Sequence, residues 1–385
     1  KSASWFSVRI VLGFYCAMKK ILTILLSIFV ISIIFPTVAF TYEEASGNIF
    51  TYKFFGKGEV VPISPDIMQE VAISTGYISP SARNSLFAAE NAWADVLNTL
   101  PGAKASFNIF KYEEDNASAK SSTIYDDTVQ AKITEVQAAL YGKAIPPHAF
   151  SNAAILIGNA FGGGSDGWNF DNTNKPLADS DNPNLKIVMQ HEIAHALGMA
   201  TDGKDNLYEF EGATCNCPLY KDNLSIWDKY LRFDSSTEKG VQIDATPTFS
   251  TIIAPQEGIA DPSDADKFIY LDKFVPYFVG EKTLKVLGNS NDVETAKTNI
   301  ANKGGLKNYA EKYRVEKTGT KYTEVTTVVN GLPINADEVV SVDLSHIELR
   351  NSYLSHQNYR NWITCMEAEL TAFVDLGYDI NVRDF

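Results

Sequence analysis

The sequence predicts an α+β protein with an N-terminal mixed sheet backed by helices and an irregular C-terminal lobe that closes on a terminal helix. Three observations carry that prediction. Strand-like and helix-like periodicities alternate up to about residue 200, the pattern of a sheet covered by helices. After Thr201 the periodicity breaks into short runs separated by turns. Near the end an amphipathic stretch recovers helical spacing. With 385 residues the chain has enough length for one large domain or two lobes sharing a cleft. We divide it into 1–39, an upstream extension and signal peptide; 40–200, an N-terminal lobe; and 201–385, a C-terminal lobe.

The first segment is read as a targeting signal. Met18-Lys19-Lys20 precedes the apolar run ILTILLSIFVISIIF at 21–35, then Pro36 and Thr37-Val38-Ala39. A basic start, a short apolar run and small residues before the cut are the marks of a secretory signal, with cleavage expected after Ala39. The alternative is a membrane anchor, but the run is shorter than the ~18–20 residues a span needs. Residues 1–17 precede a plausible start methionine and receive no function.

Charge excludes one class of partner. The first 39 residues hold four basic groups (Lys1, Arg9, Lys19, Lys20) and no acidic ones, so removing them leaves 29 basic against 47 acidic groups, a net −18. Such a surface repels nucleic acid and anionic membranes, and no basic stripe opposes it. Of the four cysteines, Cys16 leaves with the signal. Cys215 and Cys217 are too close in sequence to bridge each other easily, so a disulfide would join Cys365 to one of them. Cys-x-Cys as a metal site lacks a third thiol or His at metal spacing nearby.

The elements follow in order. SARNSLFAAENAWADVLN (81–98) has apolar Leu86, Ala89, Trp93 and Val96 at helical spacing, with Ser79 or Ser81 as cap and Pro101-Gly102 as stop. SFNIFKYEE (106–114) alternates as a strand does. DTVQAKITEVQAALYG (127–142) reads as a second helix closed by Gly142. NAAILIGNAF (152–161) is a buried strand, followed by Gly162-Gly163-Gly164-Ser165. That loop either lets a substrate backbone approach an edge strand or is a plain flexible loop. LKIVMQHEIAHALGM (185–199) is a third helix. Beyond it lie strand-like runs near 241–253, 267–273 and 321–330, turns at Gly304-Gly305 and Gly331, and the terminal helix at 364–377.

The chemistry concentrates in His191-Glu192-Ile193-Ala194-His195. Two imidazoles at i and i+4 share one helix face and can reach one ion. Glu192, beside the first ligand, reaches a metal-bound water, whose proton it takes and later hands to a leaving amine. The bland alternative is a helix with two ordinary histidines. Apolar flanks weigh against it, because they bury the helix and buried imidazoles need partners. Gly198 then lets the chain turn sharply out of the helix.

A catalytic zinc takes three protein ligands and one open position. The third is not in the helix motif. Six positions after His195 stands Thr201, and Asp202 is one residue late. From the residues alone the candidates are Asp202, Glu209, Glu211, His346 and His356; the remaining histidine, His148, follows Pro146-Pro147 and is expected at the surface.

HEIAHALG, SHIELRN (345–351) and ELTAFVDLGYDI (369–380) together resemble the leishmanolysin family of metzincin zinc proteases. In that family the third His arrives after a long insertion, in a His-Trp-x-x-Arg-Asn segment, ahead of a Met-bearing turn and a helix ending in Asp-Leu-Gly-aromatic. His346 with Arg350 and Asn351 matches the segment, and Asp375-Leu376-Gly377-Tyr378 the tail, across an insertion of 151 positions from His195 to His346. The stretch 355–361 also resembles bacterial secreted relatives. The resemblance is tight near 185–201 and 342–381 and loose elsewhere. Ile347 replaces the usual Trp, and Leu354 stands near the place of the turn methionine, with Met366 opening the last helix. The resemblance implies a two-lobed metzincin-like fold, one catalytic Zn²⁺ on His191, His195 and His346, Glu192 as general base, and peptide or protein substrates. The competing class is a non-catalytic surface adhesin that keeps a structural zinc, although such a site has no use for a base.

Overall fold

The computed structural model describes residues 41–63, 71–113, 116–148, 150–159, 167–173, 182–200, 216–219, 225–234, 250–253, 275–316, 319–334, 345–347, 352, 354 and 365–380. The signal segment, Cys215, Asp202, Glu209, Glu211, the Gly162–Gly164 loop, the 267–273 run and His356 lie outside them.

The fold is mixed α+β. In chain order the elements are β1 (Glu43–Ser46), β2 (Phe50–Phe54), β3 (Val60–Pro62), β4 (Val71–Ile73), α1 (Pro80–Ala94), β5 (Ala105–Lys111), β6 (Ala117–Ser121), β7 (Thr123–Asp126), β8 (Ala131–Thr134), α2 (Glu135–Leu140), β9 (Ala153–Ile157) and α3 (Leu185–Ala196). There follow β10 (Asn216–Leu219), α4 (Ile226–Tyr230), β11 (Leu231–Asp234), β12 (Ser250–Ile253), β13 (Val275–Phe278), α5 (Glu281–Leu287), α6 (Val293–Asn302), β14 (Leu306–Glu316), β15 (Gly319–Val329), β16 (Leu332–Pro333) and α7 (Glu367–Asp375).

The central sheet has five strands in the order β1-β2-β5-β9-β6. β2, β5 and β9 run parallel, and the two outer strands are antiparallel to their neighbours. Strand formation follows from alternation: Phe50, Tyr52 and Phe54 are buried while Thr51 and Lys53 are partly exposed. β9, the all-apolar AAILI, is buried on nearly every residue, as a strand enclosed on both sides must be.

Two long helices back this sheet. α1 starts where Ser79 accepts from the Ala82 amide at 3.2 Å and Pro80 supplies the first helical position. Its Glu90 is fully buried and accepts from the amides of Ile49 (2.8 Å) and Phe50 (2.9 Å) and from the Tyr52 hydroxyl (2.9 Å), tying the helix to β2. A Cβ at Gly47 would lie 1.7 Å from the same carboxylate, so a side chain there would push Glu90 out of these bonds. The Trp93 indole donates to the Gln190 carbonyl at 3.0 Å and thereby joins α1 to α3.

One buried cluster runs through the described residues on both sides of position 200, from Phe107, Trp93 and Ile193 to Trp227, Phe278 and Phe373. Three-stranded β11-β13-β16 and the hairpin β14-β15 belong to the later half. α5 opens at Gly280, which has no capping side chain of its own. The cap comes instead from α7: the Asp375 carboxylate accepts from the amides of Lys282 (2.8 Å) and Thr283 (2.9 Å) and from the Thr283 hydroxyl (2.8 Å).

Several expectations need correction. The helix expected over 127–142 is a hairpin, β7-β8, followed by a helix of only Glu135–Leu140. Val129, Ile133 and Thr134 favour strand, Gln130 takes a positive φ of 49° at the turn, and Thr134 caps the short helix by accepting from the Gln137 amide at 3.1 Å. The later half, expected to be irregular up to its terminal helix, also holds α4, α5 and α6. His148 is not a surface bystander. Its Nε2 lies 2.9 Å from both Glu135 carboxylate oxygens and its Nδ1 3.0 Å from the Phe150 carbonyl. α1, β5, β9, α3, β15 and α7 differ from expectation only at their ends, where helix and strand boundaries fray, whereas β1, β2 and β6 of the central sheet were not read from the sequence at all.

Candidate metal centre

The site begins with α3. Asn184 caps it, accepting from the Ile187 amide at 3.1 Å. Every residue from Leu185 to Ala194 is buried, so the helix is held on all sides and its side chains project in fixed directions. At its end Gly198 adopts φ +116°, which non-glycine residues rarely take, and the chain leaves the helix. The Tyr378 hydroxyl donates to the Leu197 carbonyl at 2.6 Å and Gln137 donates to the Leu376 carbonyl at 2.8 Å, so the end of α3, the short α2 and the end of α7 are stitched together.

His191, His195 and His346 meet at one point. Their Nε2 atoms are 3.0 Å (191–195), 3.1 Å (191–346) and 3.2 Å (195–346) apart. The His191 and His346 rings stack at 4.9 Å, and the His195 ring stands nearly perpendicular to both. Among the described residues this is the one group of three or more His, Cys, Asp or Glu side chains able to hold a metal ion together.

Elementary hydrogen bonding says what such a triangle can hold. The His195 Nδ1 lies 2.7 Å from the Met199 carbonyl, which only accepts, so Nδ1 carries a proton and, in the neutral form of the ring, the Nε2 lone pair turns inward. One proton cannot satisfy three mutually facing nitrogens, and three lone pairs repel. A cation at the centre resolves both difficulties. A tetrahedral zinc with Zn–N of about 2.0–2.1 Å needs ligand nitrogens roughly 3.3 Å apart, close to the observed triangle. The Met199 carbonyl then acts as the outer partner that fixes ring orientation and tautomer.

His346 comes from far along the chain but is no less fixed. It is 7% exposed. Its neighbour Ile347 bridges Ile334 and donates its amide to the Leu354 carbonyl at 3.1 Å. Leu354, in the place considered for the turn methionine, is fully buried in the main core.

Glu192 lies on α3 between the two helical histidines and is 5% exposed. Burial pushes its carboxyl up to about 8, and a hydrogen bond from the Ala119 amide opposes the shift. Ala119 belongs to β6, the edge strand packed beside α3. A cation among the imidazoles would draw the same carboxyl downward.

The structure therefore brings together three of the sequence candidates, His191, His195 and His346, next to Glu192. It places His148 against Glu135 instead. Two contributors were missing from the sequence reading: the Ala119 amide, which no side-chain pattern signals, and Glu369, which accepts from the Met366 amide at 2.6 Å. The Met-x-x-Glu spacing of a helix start was its only local sign. Comparison with protein-family models, with curated proteins and with solved structures returns no match.

Proposed function

We propose that this chain is a zinc-dependent endopeptidase of the leishmanolysin-like metzincin kind, two-lobed around the three-histidine centre and exported through the 18–39 segment. The observation that carries the reading is the inward-facing Nε2 triangle with a buried carboxylate on the adjacent helical position. Three neutral nitrogens leave a fourth position open, the ligand set of a catalytic rather than a structural zinc. When bound, the ion would supply Lewis acidity, polarising a peptide carbonyl and making a water more acidic.

The chain's own residues would do the rest. The Glu192 carboxylate takes the proton of the attacking water and passes it to the amide nitrogen as the C–N bond breaks. The Ala119 amide holds that carboxylate in register beside the ligands. β6, at the sheet's edge, offers backbone groups along which an extended peptide can lie. The net charge of −18 on residues 40–385 argues against nucleic acid as partner. Among the described residues no helix is long and apolar enough to cross a membrane.

The test combines metal analysis with digestion of casein or gelatin. One zinc per chain, cleavage lost on chelation, and a Glu192→Gln protein that keeps its zinc but loses cleavage about 10²–10⁴-fold are expected. A protein that cannot be loaded with zinc sinks the reading. Zinc retained without any cleavage by the native protein would favour the adhesin with a structural ion.

A further inference from the structure

The structure holds a buried carboxylate close to the third histidine's segment that the chemistry above does not use. Glu369, in the first turn of α7, is fully buried. Its partners are all donors: the Ser352 hydroxyl and, more distantly, the Leu354 amide (3.5 Å) at one oxygen, and the Met366 amide (2.6 Å) at the other. The described residues place no ion pair on it. A carboxylate in that setting is costly, and an apolar residue would fill the same space more cheaply unless the acceptors are needed.

Ser352 Oγ also accepts from the Leu354 amide at 3.0 Å. The Leu354 carbonyl in turn accepts from the Ile347 amide at 3.1 Å. Ile347 is the residue after His346. Hydrogen bonds thus lead from α7 through Ser352 and Leu354 to the backbone of Ile347, one residue from the third imidazole. His191 and His195 need no such device, because a buried helix aims them. His346 sits in no helix or strand and depends on this path and on the Ile334–Ile347 bridge.

The geometry points to Glu369 as a positioning residue for the third metal ligand: its carboxylate holds Ser352 and Leu354 against α7 and so sets the ring of His346 at the distance the metal requires. A carboxylate suits the task because both oxygens accept. An amide in its place would turn an NH₂ group toward one of the donors. This inference rests on the metal-centre reading, and its test separates the two.

The experiment titrates the metal-free protein with Co²⁺ and follows affinity and the visible spectrum, for the native chain, Glu369→Gln, and Asp375→Asn as a control on the same helix. Asp375 places its carboxylate on the amides of Lys282 and Thr283 and the Thr283 hydroxyl, so its variant reports plain destabilisation. We expect Glu369→Gln to bind Co²⁺ about 10- to 100-fold more weakly with an altered spectrum, as loss of a ligand-orienting partner does. Asp375→Asn should bind like the native chain. Native affinity and spectrum in Glu369→Gln would overturn the inference. Should that variant not fold, Ser352→Ala carries the test, with a several-fold loss expected and no loss overturning the idea. Amide exchange at Ile347 in the metal-free protein gives an independent readout, with faster exchange expected in Glu369→Gln and unchanged exchange counting against us. If the native chain binds no Co²⁺ at all, the metal-centre reading fails, and the exchange data alone decide whether Glu369 holds the segment.

Discussion

Histidines divide by what their nitrogens face. His148 is bracketed by oxygens of Glu135 and Phe150, and its pairings are complete without an ion. His191, His195 and His346 instead turn their Nε2 atoms toward one another, where an ion can sit. Removing His346 should therefore lower zinc affinity by orders of magnitude, whereas His148→Ala should keep the metal and lose only some stability. Equilibrium dialysis of the two variants against zinc checks this, and equal retention by both would contradict it. Trp93 offers a second test at this scale. Trp93→Phe strips the indole donor from the Gln190 carbonyl one residue before His191 and leaves a void beside Phe373. Loss of a buried hydrogen bond of this kind costs about 1–3 kcal/mol, readable as a shift in the urea midpoint.

Elements show how far local sequence reaches. α1 and α3 were legible because each carries its own cap, Ser79 and Asn184, and its own periodicity. The 127–142 stretch misled because its apolar spacing also fits a helix; Thr123–Asp126, its pairing strand, decides the matter by a contact the stretch itself does not encode. α5 was missed for a related reason, since its cap is Asp375, some 92 residues downstream. The same holds in the site. His191, Glu192 and His195 stand in one helical turn and declare themselves, while His346 emerged from the residues only as one of several candidates and was singled out by resemblance. The borrowed cap makes a prediction. Asp375→Ala should destabilise the protein by about 1–2 kcal/mol, the usual cost of a lost helix cap, without changing zinc stoichiometry. Thermal melts with parallel metal analysis decide it, and an unchanged melting temperature would mean α5 is held by packing alone.

For the whole molecule, buried carboxyls link stability to pH. Burial pushes Glu369 up to about 7 from an ordinary 4.5, against the pull of its hydrogen-bond donors. Its folded value lies above its unfolded one, so between those pH values the folded chain holds a proton that the unfolded chain releases. Stability from this group is greatest at low pH, falls as pH rises through that window, and levels off above the folded value. The change is on the order of 3 kcal/mol. Urea midpoints of the metal-free protein from pH 5 to 8 should decline less steeply in Glu369→Gln than in the native chain, with Glu192 present in both. Parallel slopes would show that Glu369 does not titrate there.

The bridge between Leu97 and Ile380, reinforced by the Asn98 amide donating to the Asp379 carbonyl at 2.9 Å, joins residues almost 300 positions apart. A chain made from its N-terminus has His191 and His195 in hand long before Tyr378 arrives to close over Leu197, and before His346 arrives at all. Until then two imidazoles share a helix whose end is not yet held, and α1 lacks Phe373 against Trp93. The order of manufacture thus works as a safety catch: the three imidazoles cannot meet until His346, 151 positions beyond His195, has been made and docked.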